Sequence, residues 1–284
     1  MSIVHAYVKE RFPLIPVILF SVGYAGLVVG VTSASNFWSS DMYESLNRLL
    51  LISCIFFFFL LRQRTTDELR DRVHDTTHFP TRPVPRGLIS REKIVFLGIF
   101  AFIVEVVCAY ILNPRGFGVY MFPLLYSYLM AYKFFLRTWL DKHFTIDFIL
   151  HEIIFLLFGL YFLNILRQRG MEMDLNSVAS LVALTCAPIS IEIMRKFNPR
   201  QDASGKVVAD TYSTVWGRDA ALTAIVLLSF IVAMSLSYLK ASPIYILSSG
   251  TILLLWCVLM YKSKKVAIIA AIIFLLQSVL VNIL

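Results

Sequence analysis

The sequence predicts an all-α membrane protein of about nine transmembrane helices. Three observations carry that prediction: an apolar content of 58%, long continuous apolar runs, and a one-sided distribution of basic residues between them. Soluble domains are about 45–50% apolar, and mean hydropathy here is +0.76. The continuity of the runs excludes the alternating pattern of a β-barrel. Runs near 20 residues, the length that crosses a bilayer as helix, fall at 12–34, 45–61, 94–112, 117–136, 144–163, 176–194, 220–239, 243–261 and 266–283. The second is short and the fourth is interrupted by Lys133. Lys9 and Arg11 precede the first run, which is too long for the core of a cleavable signal. Fixed-period repeats and low-complexity segments are absent from the sequence. The chain therefore reads as one polytopic membrane domain, residues 1–284, with inner loops at about 62–93 and 195–219.

The net charge of +8 would suggest nucleic acid in a soluble protein. Here its distribution argues against that partner. With the N-terminus inside, 21 of the 26 Lys and Arg residues fall on the inner side and 5 outside. That is the positive-inside bias of a membrane protein, and an added or lost span would scramble it. The expectation is a bacterial-type inner (cell) membrane, a cytoplasmic N-terminus and an outer C-terminus, and the basic excess reads mostly as topology. Cys54, Cys108, Cys186 and Cys257 lie in four different apolar runs with no metal-ligand spacing. They read as buried thiols.

The longest inner segment contains Asp67 to Gly87, DELRDRVHDTTHFPTRPVPRG. Asp67, Asp71 and Asp75 recur every four residues, so on a helix they share one face. Like charges one turn apart repel, and either local arginines or a bound cation must relieve them. Arg64, Arg70 and Arg72 suit a plain solvated acidic face. The second alternative is a site: carboxylates offer oxygen ligands to Mg²⁺, and guanidinium forks suit phosphate. Pro80, Pro83 and Pro85 stop the helix and are expected to hold the chain extended, with Arg82 and Arg86 on that stiff segment. His74 and His78 are also four apart but sit away from the aspartate face, and they form no HExxH motif.

The pattern D-E-x-x-D-x-x-x-D-x-x-H-x-P-x-R-P-V-P-x-G across these 21 positions resembles the first aspartate-rich motif of the UbiA superfamily of intramembrane prenyltransferases. That motif reads N-D-x-x-D-x-x-x-D followed by N-x-P-x-R-P-x-P-x-G. Asp67 stands where the family has Asn. A second acidic segment, leading to T-L-P-V-x-L-G, is implied after a later inward-going span. The chain offers Glu192, Arg195, Lys196, Asn198 and Pro199, then Thr211 to Gly217, with an insertion containing Asp202 and Asp210 between them. Glu192 stands at the first acidic position. Lys196 stands at the second and cannot ligate a metal, since an ammonium offers no acceptor.

The resemblance implies a helical bundle around a central cavity and Mg²⁺-dependent transfer of an isoprenoid chain from a prenyl diphosphate to an acceptor the sequence does not identify. It implies Asp67, Asp71, Asp75 and Glu192 as metal ligands, with Asp71, Asp75 and Glu192 central to catalysis. Arg82 and Lys196 would contact the diphosphate. Lys133 and Arg137, one turn apart at the inner end of the fourth run, either face the diphosphate or only flank the membrane. Glu105, Asp147, His151, Glu152 and Asn164 lie in or beside spans, where charged groups tend to face a cavity. They either shape the acceptor pocket or form structural pairs. Rival readings are a membrane terpene cyclase of the same superfamily, an ion or lipid transporter, and a non-catalytic relative. Transporter ion sites lie near the bilayer midplane, whereas these aspartates lie past a span end.

Overall fold

The computed structural model describes residues 3–32, 42–167, 174–202 and 204–240. The predicted spans 243–261 and 266–283 lie outside the described residues, as do Cys257, the inner lysines Lys262, Lys264 and Lys265, and the orientation of the C-terminus. Among the described residues, six helices are long and apolar enough to cross a membrane.

A short helix α1 (Ile3–Arg11) leads into α2 (Leu14–Thr32), and α3 (Met42–Arg70) returns. At 29 residues, α3 is about 43 Å long, well beyond a hydrocarbon core of about 30 Å. Its predicted span, 45–61, is therefore only its apolar part. The polar continuation from Arg62 carries the first aspartates clear of the bilayer. A single non-helical residue, Asp71, separates α3 from α4 (Arg72–His78). The Asp71 and Asp75 amides still donate to the carbonyls four residues back, at 2.9 and 2.8 Å. The helical register of the three aspartates survives the break.

The segment after α4 corrects the sequence expectation. Residues 80–87 are wound into successive turns, with the Arg82 amide bonded to the Phe79 carbonyl, Arg86 to Arg82 and Leu88 to Pro83. Proline stiffens a turn as readily as an extended strand, because its fixed φ also suits the first central turn position. Gly87 closes the segment at φ +76°.

Helix α5 (Arg91–Leu112) follows, then α6 (Phe117–Ala131), shorter than its predicted run of 117–136. Lys133, Phe134 and Phe135 take φ of 48°, 52° and 60°, a left-handed conformation that ordinary residues adopt at a cost. This turn ends α6 and swings Lys133 inward. After α7 (Arg137–Leu140), helices α8 (Phe144–Arg167) and α9 (Leu175–Arg195) form the next pair. The insertion after α9 is a small antiparallel hairpin of β1 (Arg200–Gln201) and β2 (Val207–Val208). Asp202 builds its turn, accepting from the Ser204 and Lys206 amides at 2.9 and 3.0 Å. The chain then returns through α10 (Tyr212–Val215) to α11 (Arg218–Lys240). Thr211 and Thr214 cap α10 reciprocally, and Gly217 ends it at φ +88°.

Aromatic rings fill the bundle centre. Tyr24 packs tilted against Phe56, ring centres 4.0 Å apart, and Phe56 lies 4.8 Å from Phe158. Their polar ends reach across helices: the Tyr24 hydroxyl donates to the Leu184 carbonyl at 3.1 Å and the Tyr161 hydroxyl to Ala109 at 2.8 Å. In lipid, where apolar burial does not drive helices together, close packing and such bonds do. Phe96, Ile99, Ile103 and Tyr110 of α5 point outward, as on a lipid-facing helix.

Glu105 is resolved as a structural pair. Fully buried, it receives the Arg62 guanidinium at 2.7 and 2.9 Å and the Tyr120 hydroxyl at 2.6 Å. Ser127 accepts a further Arg62 N–H at 2.9 Å. Arg62 belongs to this buried network joining α3, α5 and α6, and not to the inner loop where charge counting places it.

Candidate functional site

At one end of the bundle, α3 and α4 face α8 and α9 across a chamber of about 750 Å³. It narrows into a cavity of about 270 Å³ between the helices. Both sequence motifs contribute to the chamber wall. Asp67, Asp71, Asp75 and Arg82 stand on one side, and Arg195, Lys196, Arg200 and Asp210 on the other. Lys133 and Arg137 also line it, placed there by the left-handed turn.

The cavity below is bordered by Asp67, Asp71, Asp147, His151, Glu152 and Glu192, among others. Its inner wall is apolar and aromatic, from Phe59, Met130, Phe148 and Phe155. A charged mouth above an aromatic interior suits an amphipathic guest with an anionic head.

The acidic groups differ in how tightly they are held. Arg70 bridges the first two aspartates, bonding Asp67 at 2.7 Å and Asp71 at 2.9 Å. Their side chains stay 40% and 32% exposed. Burial alone would raise the Asp71 carboxyl. The Arg70 hydrogen bonds and charge, with Lys133 and Arg137, outweigh it and hold Asp71 below its ordinary value. Asp75 is only 6% exposed and clamped, by Arg82 at 2.5 Å and Arg11 at 3.3 Å. Arg82 also stacks on Phe79, 3.7 Å from the ring centre. Opposite, Glu192 is bonded by Arg195 through two contacts of 2.8 Å and by Lys196 at 2.8 Å.

These contacts test whether Mg²⁺ suits the residues. Asp67 and Asp71 fit: they offer hard oxygen donors one turn apart, open to the chamber. Mg²⁺ commonly takes one or two carboxylates, completing its shell with water and substrate phosphates. Asp75 and Glu192 are each already neutralised by two cations. Among the described residues, no group of three or more His, Cys, Asp or Glu side chains converges as a metal-binding set. Of the four carboxylates assigned from the sequence, Asp67, Asp71 and Asp75 line the chamber and Glu192 borders the cavity beneath it, so they do not form one cluster.

Other sequence candidates fall into place around it. Lys133 bonds Asp141 at 2.7 Å and Asp147 at 3.2 Å. His151 approaches Asp147 at 3.4 Å. Arg86 points away from the chamber, to Glu10 at 2.7 and 3.0 Å. His74 and His78 pack against each other at 4.7 Å, tilted, and His74 approaches Asp75 at 3.6 Å without completing a three-ligand group among the described residues.

Several site residues escaped the sequence reading. Arg195 stands three residues after Glu192, spacing that a helix converts into a contact; Arg70, by contrast, relieves Asp67 and Asp71 as the local-arginine reading expects. Arg11 arrives from α1, bonding Glu68 at 2.6 Å as well as Asp75, and no local pattern foretells it. Tyr212 is buried against the cavity because its amide bonds the Lys196 carbonyl at 3.3 Å, which folds the motif tail back onto α9. Burial, then the nearby Glu192 and Glu152 charges, push its hydroxyl pKa up.

Comparison with known proteins agrees with this architecture. Three structures of a UbiA homologue from Archaeoglobus fulgidus resemble the chain, each covering 98% of it and 99% of the homologue. The first matches at 16% identity and a TM-score of 0.57. The second, bound to DMAPP and Mg²⁺, matches at 16% and 0.55. The third, bound to GPP and Mg²⁺, matches at 17% and 0.56. At such identity the likeness shows the fold. No curated protein matches the sequence. The sequence profile of the UbiA prenyltransferase family matches residues 27–279, nearly the whole chain. The protein is an integral membrane member of the UbiA prenyltransferase family.

Proposed function

We propose that the protein transfers an isoprenoid chain from a prenyl diphosphate to an acceptor within the membrane, in a Mg²⁺-dependent reaction. One observation carries the reading: the chamber joins open carboxylates on one wall to a cluster of cations on the other, directly above an aromatic cavity. The family and the ligands of the Archaeoglobus fulgidus homologue support it.

Asp67 and Asp71 would hold Mg²⁺, with Asp75 and Glu192 fixing the arginines and the lysine that surround the diphosphate. When bound, the metal would neutralise the donor diphosphate and stabilise it as a leaving group. Arg82, Lys133, Arg137 and Lys196 would orient the diphosphate by charge-assisted bonds, exchanging carboxylate partners for phosphate oxygens. Phe59, Phe148 and Phe155 would enclose the reacting carbon and keep water from it. The chamber end would face the cytoplasm, a reading supported by the basic bias of the sequence.

Purified protein in lipid nanodiscs, given labelled prenyl diphosphates of several lengths with and without Mg²⁺, tests the proposal. Mg²⁺-dependent diphosphate binding and release is the expected result. Absence of both at every chain length would refute it. The product's mass separates transfer from cyclisation.

A further inference from the structure

Glu152 stands apart from every other acid bordering the cavity. Asp67, Asp71, Asp147 and Glu192 each have a cation bonded to them. Glu152 is 8% exposed, sits on α8 facing the cavity, and its Oε2 has no hydrogen-bond partner among the described residues. A buried polar atom left without a partner is costly, and native structures rarely keep one. Ile154 and Phe155 on its own helix and Phe59 and Met130 bring apolar surface to the same cavity, while Glu192, Lys196 and Arg195 act on it by charge without a hydrogen bond to Oε2.

We infer that Glu152 is the residue that receives the acceptor, its carboxyl oxygen taking a hydrogen bond from an acceptor O–H or N–H. The inference rests on the prenyl-transfer reading and deepens it. A diphosphate is anionic and rich in acceptor oxygens, so it offers Glu152 nothing, and the cations at the chamber mouth already suit it. The second substrate is the molecule that must enter the apolar part of the cavity. An acceptor whose nucleophilic end carries a hydrogen-bond donor satisfies Oε2. One lacking that donor leaves the oxygen orphaned, which is how buried polar sites discriminate most strongly. Glu152 therefore acts as a specificity-determining residue, its role distinct from that of the neighbouring Glu192 and Lys196.

Two probes of nearly equal size test it: 4-butylphenol, which carries an O–H, and 4-butylanisole, in which a methyl group replaces that hydrogen. Their binding to protein in nanodiscs is measured by calorimetry. The wild type should prefer the phenol on the order of tenfold, the worth of one buried hydrogen bond. In Glu152→Leu the preference should fall below about twofold, with geranyl diphosphate binding and melting temperature retained. If that variant does not fold, Glu152→Gln serves, and its preference should drop at least about threefold because one of the two carboxyl oxygens is replaced by an NH₂ donor. A wild type indifferent to the O–H, or a preference that survives in the folded variant, overturns the inference and leaves a bound water as the oxygen's partner. Failure of the prenyl-transfer reading looks different. The wild type would then not bind geranyl diphosphate with Mg²⁺, whatever the phenol preference.

Discussion

The two acidic walls of the chamber are built from similar motifs and hold opposite electrostatic states. On the first wall, Asp67 and Asp71 share one arginine, Arg70, and keep exposed oxygens. On the second, Glu192 alone faces two cations, Arg195 and Lys196. Within these contacts acids outnumber their cation two to one on the first wall, and cations outnumber their acid two to one on the second. Lys196, at a position where the family resemblance implies an acid, supplies one of these cations, and Asp67, where it implies Asn, supplies one of the acids, so the two departures offset each other in charge. A guest with a metal on one side and a diphosphate on the other fits that polarity.

The comparison breaks most sharply at Asp71. Asp71→Asn deletes an anionic ligand at constant volume and should lower turnover about 10²–10³-fold, as other electrostatic deletions at partly dry sites do. Asp67→Asn should cost less, about tenfold, because an amide oxygen still ligates and the family residue is restored. Turnover and thermal shift on the purified variants check both, and melting should hold or rise slightly as like-charge repulsion is relieved. Unchanged activity in Asp71→Asn would return the aspartates to a solvated face.

The second wall predicts a smaller effect in a different parameter. Lys196→Met should raise the KM for prenyl diphosphate about tenfold through loss of one charge-assisted contact, leaving the Mg²⁺ requirement as it was. Donor titration at several Mg²⁺ concentrations separates the two. Smaller still is Glu192→Gln, because the deleted charge is already neutralised. Donor affinity should stay level or improve, since Arg195 and Lys196 are freed for phosphate. A loss as large as that of Asp71→Asn would show that the two walls are equivalent.

The pH dependence sharpens the first wall at the least cost. Asp71 is held below its ordinary carboxylate value in the folded protein. Its contribution to folding is therefore present above the unfolded pKa of about 3.9 and fades only as pH falls through the lower folded value. Lowering pH from 7 to 5 should leave Asp71 ionised, and Mg²⁺-dependent donor binding should change by less than about twofold on its account.

Much of this was legible in the sequence because it is local. Apolar runs mark the helices among the described residues, and the four-residue rhythm of the aspartates survives a helix break because the backbone bonds bridge it. What sequence missed is non-local or conformational. Arg11 reaches Asp75 from 64 residues away. Arg62 looks like a loop cation, yet it is buried because Glu105 stands on the helix packed beside it. Lys133 marks an interruption of the fourth run in the sequence, but not that Lys133 to Phe135 turn left-handed there and end the helix. The proline segment misled for a related reason: fixing φ leaves ψ open, so stiffness did not specify extension.

The most direct test of a polarised chamber is metal binding itself. Mn²⁺ can replace Mg²⁺ and be followed by paramagnetic resonance in the presence of geranyl diphosphate. The account predicts that Asp71→Asn abolishes donor-dependent Mn²⁺ binding while Glu192→Gln retains it within a few-fold. Equal loss in both variants, or Mn²⁺ bound undiminished by Asp71→Asn, would contradict it.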